Sequence, residues 1–281
     1  MKTGYRRHEE LVKILKTLIF MAIGVTFLLP LLWMISSSLK TPAEVFQQDF
    51  HWLPEVPRWD NYKEVWSDSE VTMAQGYLNS IYITFFSIVF KLFFASLAAY
   101  AFAKIDFKGR GVIFMIFLST MMIPTEVTLI PRFMLFKELG LYNTRWAIIL
   151  PNWFAPGAVF MLRQFYMGLP NDLMEAAKID GAGHSRIFAQ ILLPLTKAAL
   201  VSQCVLSFVS CWNEYMAPLV FLVKKNLYTV AQVVQWTMMD EAARTDLTMA
   251  ASTCAIIPVV IIFMFCQRYF VEGIATSGVK G

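Results

Sequence analysis

Long apolar runs separated by short polar stretches organise this chain. Six of them lie near 17–38, 79–103, 111–131, 145–167, 198–222 and 247–269. Each is long enough to cross a hydrocarbon core of about 30 Å, which takes roughly 20 helical residues. In such a core every backbone amide has to be satisfied within its own segment, so the pattern predicts helices. The chain reads as an all-α membrane protein with six transmembrane helices in a single domain, residues 17–271. Short tails flank it at 1–16 and 272–281.

Composition agrees with this reading. Of 281 residues, 57% are hydrophobic and only 16% charged, and mean hydropathy is +0.55, too little polar surface for a soluble domain. The apolar run from Thr17 to Ile35 exceeds the roughly 7–15 residues of a secretory signal, so it is read as a retained span. The net charge of +4 comes with no long basic run, which argues against nucleic acid as a partner. Lys and Arg report topology instead. Fourteen fall on the side holding both termini, nine on the other, and Lys91 lies inside the second span. The richer side is the cytoplasmic one, so both termini are placed in the cytoplasm. Residues 39–78 then form the longest outer loop. Its Trp52, Trp59 and Trp66 among prolines and acids suit either the membrane surface or an external partner.

Candidate chemistry is sparse. Cys204, Cys211, Cys254 and Cys266 sit in apolar stretches without a CxxC pair and read as buried thiols. His8, His51 and His184 lie in separate loops, which gives metal- or His-based catalysis little support. No GxxxxGK[ST] sequence occurs, so the chain does not hydrolyse ATP by that means and is not read as an enzyme. An ion-driven carrier usually shows paired repeats and several embedded acids. Here no repeat is visible, and Glu214 is the one acid well inside a span.

Residues 168–195, GLPNDLMEAAKIDGAGHSRIFAQILLPL, are too polar to span and too patterned for a passive linker. Pro170 with Asn171 or Asp172 opens a helix, because a short acidic or amide side chain caps free amides. Leu173, Ala176 and Ala177 follow at i, i+3, i+4 spacing and predict a small apolar face beside Glu175 and Lys178. Asp180, Gly181, Ala182 and Gly183 break the helix, since glycine takes left-handed dihedrals at no cost. Ser185 is placed to cap a second helix, whose Ile187, Phe188, Ile191 and Leu192 share one face until Pro194 ends it. Two readings fit this pattern. One is a rigid helix–turn–helix that transmits force to the spans; the other is an amphipathic connector lying among headgroups.

Glu175-Ala176-Ala177, Asp180-Gly181-Ala182 and Ile191-Leu192-Leu193-Pro194 resemble the EAA signature of binding-protein-dependent ATP-binding-cassette importer permeases. LRQFYMGLPNDLMEAAKIDGAG, the WNEYMAPL of the fifth span and the terminal QRYFVEGIATSGVKG are similar to the second permease of maltose- and multiple-sugar-type systems. The resemblance implies a type I importer permease fold in the cell membrane, with 168–197 as a coupling loop docked on an ATPase. Glu175, Ala176, Ala177, Asp180, Gly181, Ala182 and Pro194 carry that role. It also implies a second homologous permease, two ATPase subunits that hold ATP and Mg, and an extracytoplasmic sugar-binding protein. No cofactor is expected on this chain itself, and an oligosaccharide is favoured as cargo. Lys197-Ala198 departs from the pattern where a proline is common, which bears on the start of the fifth span. The tail from Glu272 to Gly281 either touches the ATPase or is a free end.

Polar groups inside the spans are the substrate-pathway candidates, because they are costly there. Lys91 faces water, pairs with Glu126 or Glu214, or locks helices. Trp212, Asn213, Glu214 and Tyr215 join an aromatic face to hydrogen-bonding groups, as Asn152 and Phe154 do beside Trp153. The alternative for both clusters is helix–helix packing. MIPTEVTLIP, 122–131, marks either a gate or a helix that ends early and re-enters.

Overall fold

A computed structural model describes residues 2–47, 49, 51–68, 70–239 and 244–278, with side chains from 10 to 267 within those limits except at 68. Among these residues the regular structure is all helix and no strand occurs. In chain order the main helices are α1 (Lys2–Ser37), α2 (Met73–Lys104), α3 (Arg110–Met122), α4 (Thr125–Glu138), α5 (Pro156–Met167) and α6 (Asp172–Ile179). They are followed by α7 (His184–Leu195), α8 (Lys197–Trp212), α9 (Met216–Phe221), α10 (Val230–Met238) and α11 (Thr245–Gly278). The chain is an all-α membrane protein.

Six uninterrupted spans are not what the chain builds. Glu10–Ser37 of α1, all of α2 and Thr245–Gln267 of α11 are single helices long and apolar enough to cross a membrane. The expected span 111–131 is instead α3 and α4, bent by 94° at Ile123–Pro124. Ile123 is extended there (φ −85°, ψ 114°), as a residue before proline prefers. The expected span 145–167 is cut at Phe154–Ala155, again just before a proline, Pro156, at the first position of α5. The expected span 198–222 breaks between Trp212 and Met216. A broken backbone at membrane depth is tolerated where it is buried in protein or lines a watery cavity, so these breaks locate the site. At the C-terminus, α11 continues to Gly278, so residues 272–278 of the expected tail are helical; 279–281 lie outside the described residues.

The chain divides into two compact units. Met1–Thr72 with Val234–Cys254 forms the smaller, which buries polar groups beside apolar ones such as Val65 and Leu247. Asn61 is buried and its Nδ2 donates to the carbonyls of Ser38 and Lys40, both at 3.0 Å. Lys40, only 1% exposed, sits over the Trp33 ring and donates to the His51 carbonyl. Loss of water pushes the Lys40 pKa down, and Glu44 opposes the shift. Arg244 bridges Glu64 and the buried Asp246 at 3.2 and 3.1 Å. The loop expected at 39–78 is therefore a built element with its own short helices, Pro42–Val45 and Asp60–Lys63.

Met73–Val233 with Ala255–Gly281 forms the larger unit, organised around α2. Ala95 and Ala99 of α2 are buried against α5 and α8, which bring Ala158 and Ala199. Small residues let backbones approach closely, and within lipid such packing drives helix association. Near the start of α2, Asn79 joins three segments. Its Nδ2 donates to the carbonyls of Asn226 and Tyr228, and its Oδ1 accepts from Arg145 at 2.7 and 2.9 Å.

Candidate functional site

The 168–197 loop folds as two helices joined by a tight turn. α6 ends in a Schellman motif: the Gly181 amide bonds the Lys178 carbonyl at 3.0 Å, and the Ala182 amide bonds Ala177 at 2.9 Å. Gly181 has φ +80°, the left-handed conformation this ending demands. Neither expected side-chain cap forms. Asn171 precedes α6 without capping it, and its Oδ1 instead accepts from Lys104 Nζ at 2.7 Å. Gly183 precedes α7, which leaves Ser185 inside the helix. α7 closes at Leu195, one residue past Pro194 and close to the expected stop. The turn Phe188–Leu192 widens to a π-helix, with the Leu193 amide bonding Phe188, and α7 runs on to Leu195. The physical reason is that Pro194 has no amide for the Gln190 carbonyl and its ring crowds that group, which a wider turn relieves.

The inward face of α6 differs from the expected one. Met174 and Ala177 are buried against Tyr100, Phe102, Ile187 and Leu192. Leu173 and Ala176 point away, and Ile179 is 86% exposed. Hydrogen bonds also tie the loop to the same end of α2. Lys104 Nζ also bonds the Leu169 carbonyl at 2.7 Å, and Tyr100 Oη bonds His184 Nδ1 at 3.0 Å. Arg163 Nε donates to the Phe102 carbonyl while its guanidinium covers the Phe114 ring. The inner face is thus packed, while Leu173, Glu175, Ala176 and Ile179 lie exposed on the outer one.

The helix breaks line two adjoining cavities. One, of about 360 Å³, is walled by Glu126, Arg132, Asn152, Phe154, Ser210 and Glu214 among others. The second, of about 660 Å³, is walled by Lys91, Thr128, Asn152, Phe154, Gln203 and Ser207 among others. Thr125, Asn152 and Phe154 belong to both walls. Phe154 is 56% exposed, with its ring edge-on to Phe117 at 4.9 Å. Asn152 Nδ2 bonds the Ile148 carbonyl at 3.0 Å. The first turns of α4 and α5 face these cavities, so the positive ends of two helix dipoles point at them.

Four of the seven expected pathway residues line a cavity: Lys91, Asn152, Phe154 and Glu214. Lys91 makes no ion pair with Glu126 or Glu214 among the described residues, so that expected pairing is not formed. Trp212 is 2% exposed and committed to packing. Its Nε1 bonds the Ala255 carbonyl at 2.9 Å and its ring stacks on Phe208. Asn213 and Tyr215 line neither cavity; they end α8 and begin α9. Arg132 and Gln203 are residues that sequence reasoning missed. Arg132 falls just past the expected span 111–131, although its position one residue after Pro131, on an interrupted span with Glu126, is a signal present in the chain.

Residues 65–276 match the family described as "Binding-protein-dependent transport system inner membrane component". The arabinooligosaccharides transport system permease protein AraQ of Bacillus subtilis (strain 168) is 35% identical over 271 residues, 96% of each chain. The melibiose/raffinose/stachyose import permease protein MelC of the same organism is 30% identical over 94% of this chain and 96% of its own. Among solved structures, a bacterial ABC transporter involved in the import of the acidic polysaccharide alginate superposes with a TM-score of 0.81 at 26% identity. That match covers 94% of this chain and 98% of the other. This chain belongs to the binding-protein-dependent transport inner-membrane family, the permease subunits of ATP-binding-cassette importers.

Proposed function

We propose that this chain is one of two homologous permeases that together enclose a sugar path, with the 168–197 loop as the grip of the ATPase. Both termini and that loop are cytoplasmic, in line with the excess of Lys and Arg on their side. Two ATPase subunits carrying ATP and Mg sit beneath, and an extracytoplasmic binding protein delivers the cargo at the cell membrane. The cargo is an oligosaccharide, as the names of the relatives AraQ and MelC suggest.

The observation that carries the coupling reading is the division of α6 into two faces. Met174 and Ala177 fix the helix to the end of α2, so a push on its outer face moves the transmembrane helices with it. Glu175, Ala176, Ile179 and Asp180 remain outside, where a partner cleft can enclose them. Closure of the ATPases on ATP draws the loops of the two permeases together and opens the path outward; hydrolysis reverses the motion. The chain itself performs no chemistry. Its part is to transmit a rigid-body displacement to helices already broken at the cavities.

The test is uptake by the purified complex in liposomes containing ATP, comparing wild type with Ile179→Asp. At 86% exposure, Ile179 contributes nothing to the fold that aspartate would take away. Uptake should fall about thirtyfold, the effect of losing one interface anchor worth about 2 kcal/mol, with unchanged thermal unfolding of the permease. Full uptake by the variant, or uptake that follows an ion gradient without ATP, would overturn the reading.

A further inference from the structure

Arg132 plays no part in the coupling just described, yet its surroundings are specific. It stands on α4 in the wall of the 360 Å³ cavity, together with Glu126 of the same helix and Glu214 from the break before α9. Its guanidinium lies over the Phe221 ring, 5.0 Å from the centroid. Its Nε is buried and has no hydrogen-bond partner. Glu214 uses Oε1 to accept the Ala217 amide at 3.0 Å, which stands in for a cap on α9. The two opposite charges line one cavity but make no ion pair among the described residues.

A cation and an anion facing one cavity without touching leave room for a bridging group that both accepts and donates. A hydroxyl serves both sides: its oxygen accepts from a guanidinium N–H and its hydrogen goes to a carboxylate. Neighbouring hydroxyls on a sugar ring do so twice, at a spacing fixed by the ring. An anionic ligand would satisfy Arg132 but meet Glu126 and Glu214 in the same walls. An ammonium ligand would meet Arg132 itself. Counting Lys91 in the adjoining wall, two carboxylates face two cationic side chains, a balanced set that favours neutral glycans over acid-bearing ones.

We propose that Arg132 and Glu214 form a clamp for adjacent hydroxyls of one sugar unit, and that this clamp makes the permease selective for neutral over acidic oligosaccharides. The proposal rests on the sugar-transport reading. Phe154, half-exposed in the same wall, offers its ring to the apolar face of the neighbouring unit.

The experiment uses the reconstituted complex and a labelled panel of arabinotriose, raffinose and a trisaccharide bearing one uronate. Monodeoxy analogues of whichever neutral sugar is carried complete the set. Wild type should carry a neutral sugar and discriminate against the uronate. Arg132→Met should raise the KM for uptake by about ten- to a hundredfold, the scale of a lost charged hydrogen bond, with Arg132→Lys partly restoring affinity. The decisive readout is the deoxy series. One analogue should be about tenfold poorer than its parent for wild type yet equal to it for Arg132→Met, because the lost hydroxyl and the lost guanidinium are the same contact. Arg132→Met reducing parent and every analogue alike, or wild type carrying the uronate as well as the neutral sugars, would overturn the clamp and leave the transport reading standing. Wild type carrying none of the panel with ATP would overturn both.

Discussion

At the scale of single residues, two glycines show how differently a sequence position can be constrained. Gly181 is needed for its backbone, since φ +80° is strained for any side chain, while a Cβ there would meet nothing within 4 Å. Gly76 is needed for its missing Cβ, which would stand 2.8 Å from Val233 Cγ2 and 3.4 Å from the Val230 Cα. Gly181→Ala should therefore cost only the backbone strain, about 1 kcal/mol. Gly76→Ala should cost about 1–3 kcal/mol, because α2 and the start of α10 must part. Thermal unfolding of the two variants in detergent checks the order, and a larger loss for Gly181→Ala would refute it. The need for glycine at 181 was legible in the sequence, because the turn it makes is local. The need at 76 was not, because the atoms that forbid a side chain lie more than 150 residues along the chain.

At the scale of elements, prolines act through the carbonyls they leave unpaired. Pro124 and Pro156 each open a break that faces a cavity; the first lies in the 122–131 motif that was expected to bend, while the second falls inside the expected span 145–167. The break at 213–215 has no proline beside it and was not anticipated; there the Glu214 carboxylate takes over the Ala217 amide. Pro194 was read as a stop, and the helix widens to a π turn before it and closes one residue past it. Pro194→Ala returns a donor to the Gln190 carbonyl and lets the turn tighten, which rotates α7 relative to the bend of 77° before α8. Sugar taken up per ATP hydrolysed should then fall by about tenfold, the scale of a modest coupling energy, while ATPase activity persists. An unchanged ratio of uptake to hydrolysis would show that the wide turn is incidental to coupling.

At the scale of the whole molecule, the prediction concerns sidedness. In a cysteine-free background, Ile179→Cys should react with a membrane-impermeant maleimide only after the cells are opened. Leu53→Cys, 78% exposed in the native side chain, should react in intact cells. The reverse pattern would overturn the topology drawn from the charge count. The all-α membrane class followed from the sequence alone, because hydrocarbon admits few backbone solutions and apolar runs declare themselves over about 20 residues. The loop and its turn were legible for the same reason: their signals, glycine, acid and helical spacing, act within a few residues. The sequence also named Lys91, Asn152, Phe154 and Glu214 as polar groups in an apolar setting, which chain chemistry alone can flag. Only the tertiary structure decided which way those groups face. It turned Trp212 into packing, brought Arg132 from an apparent loop to the wall beside Glu214, and exchanged Leu173 for Met174 on the inner face of α6. Those outcomes depend on breaks and crossings between segments far apart in the chain, where no local period or spacing carries the information.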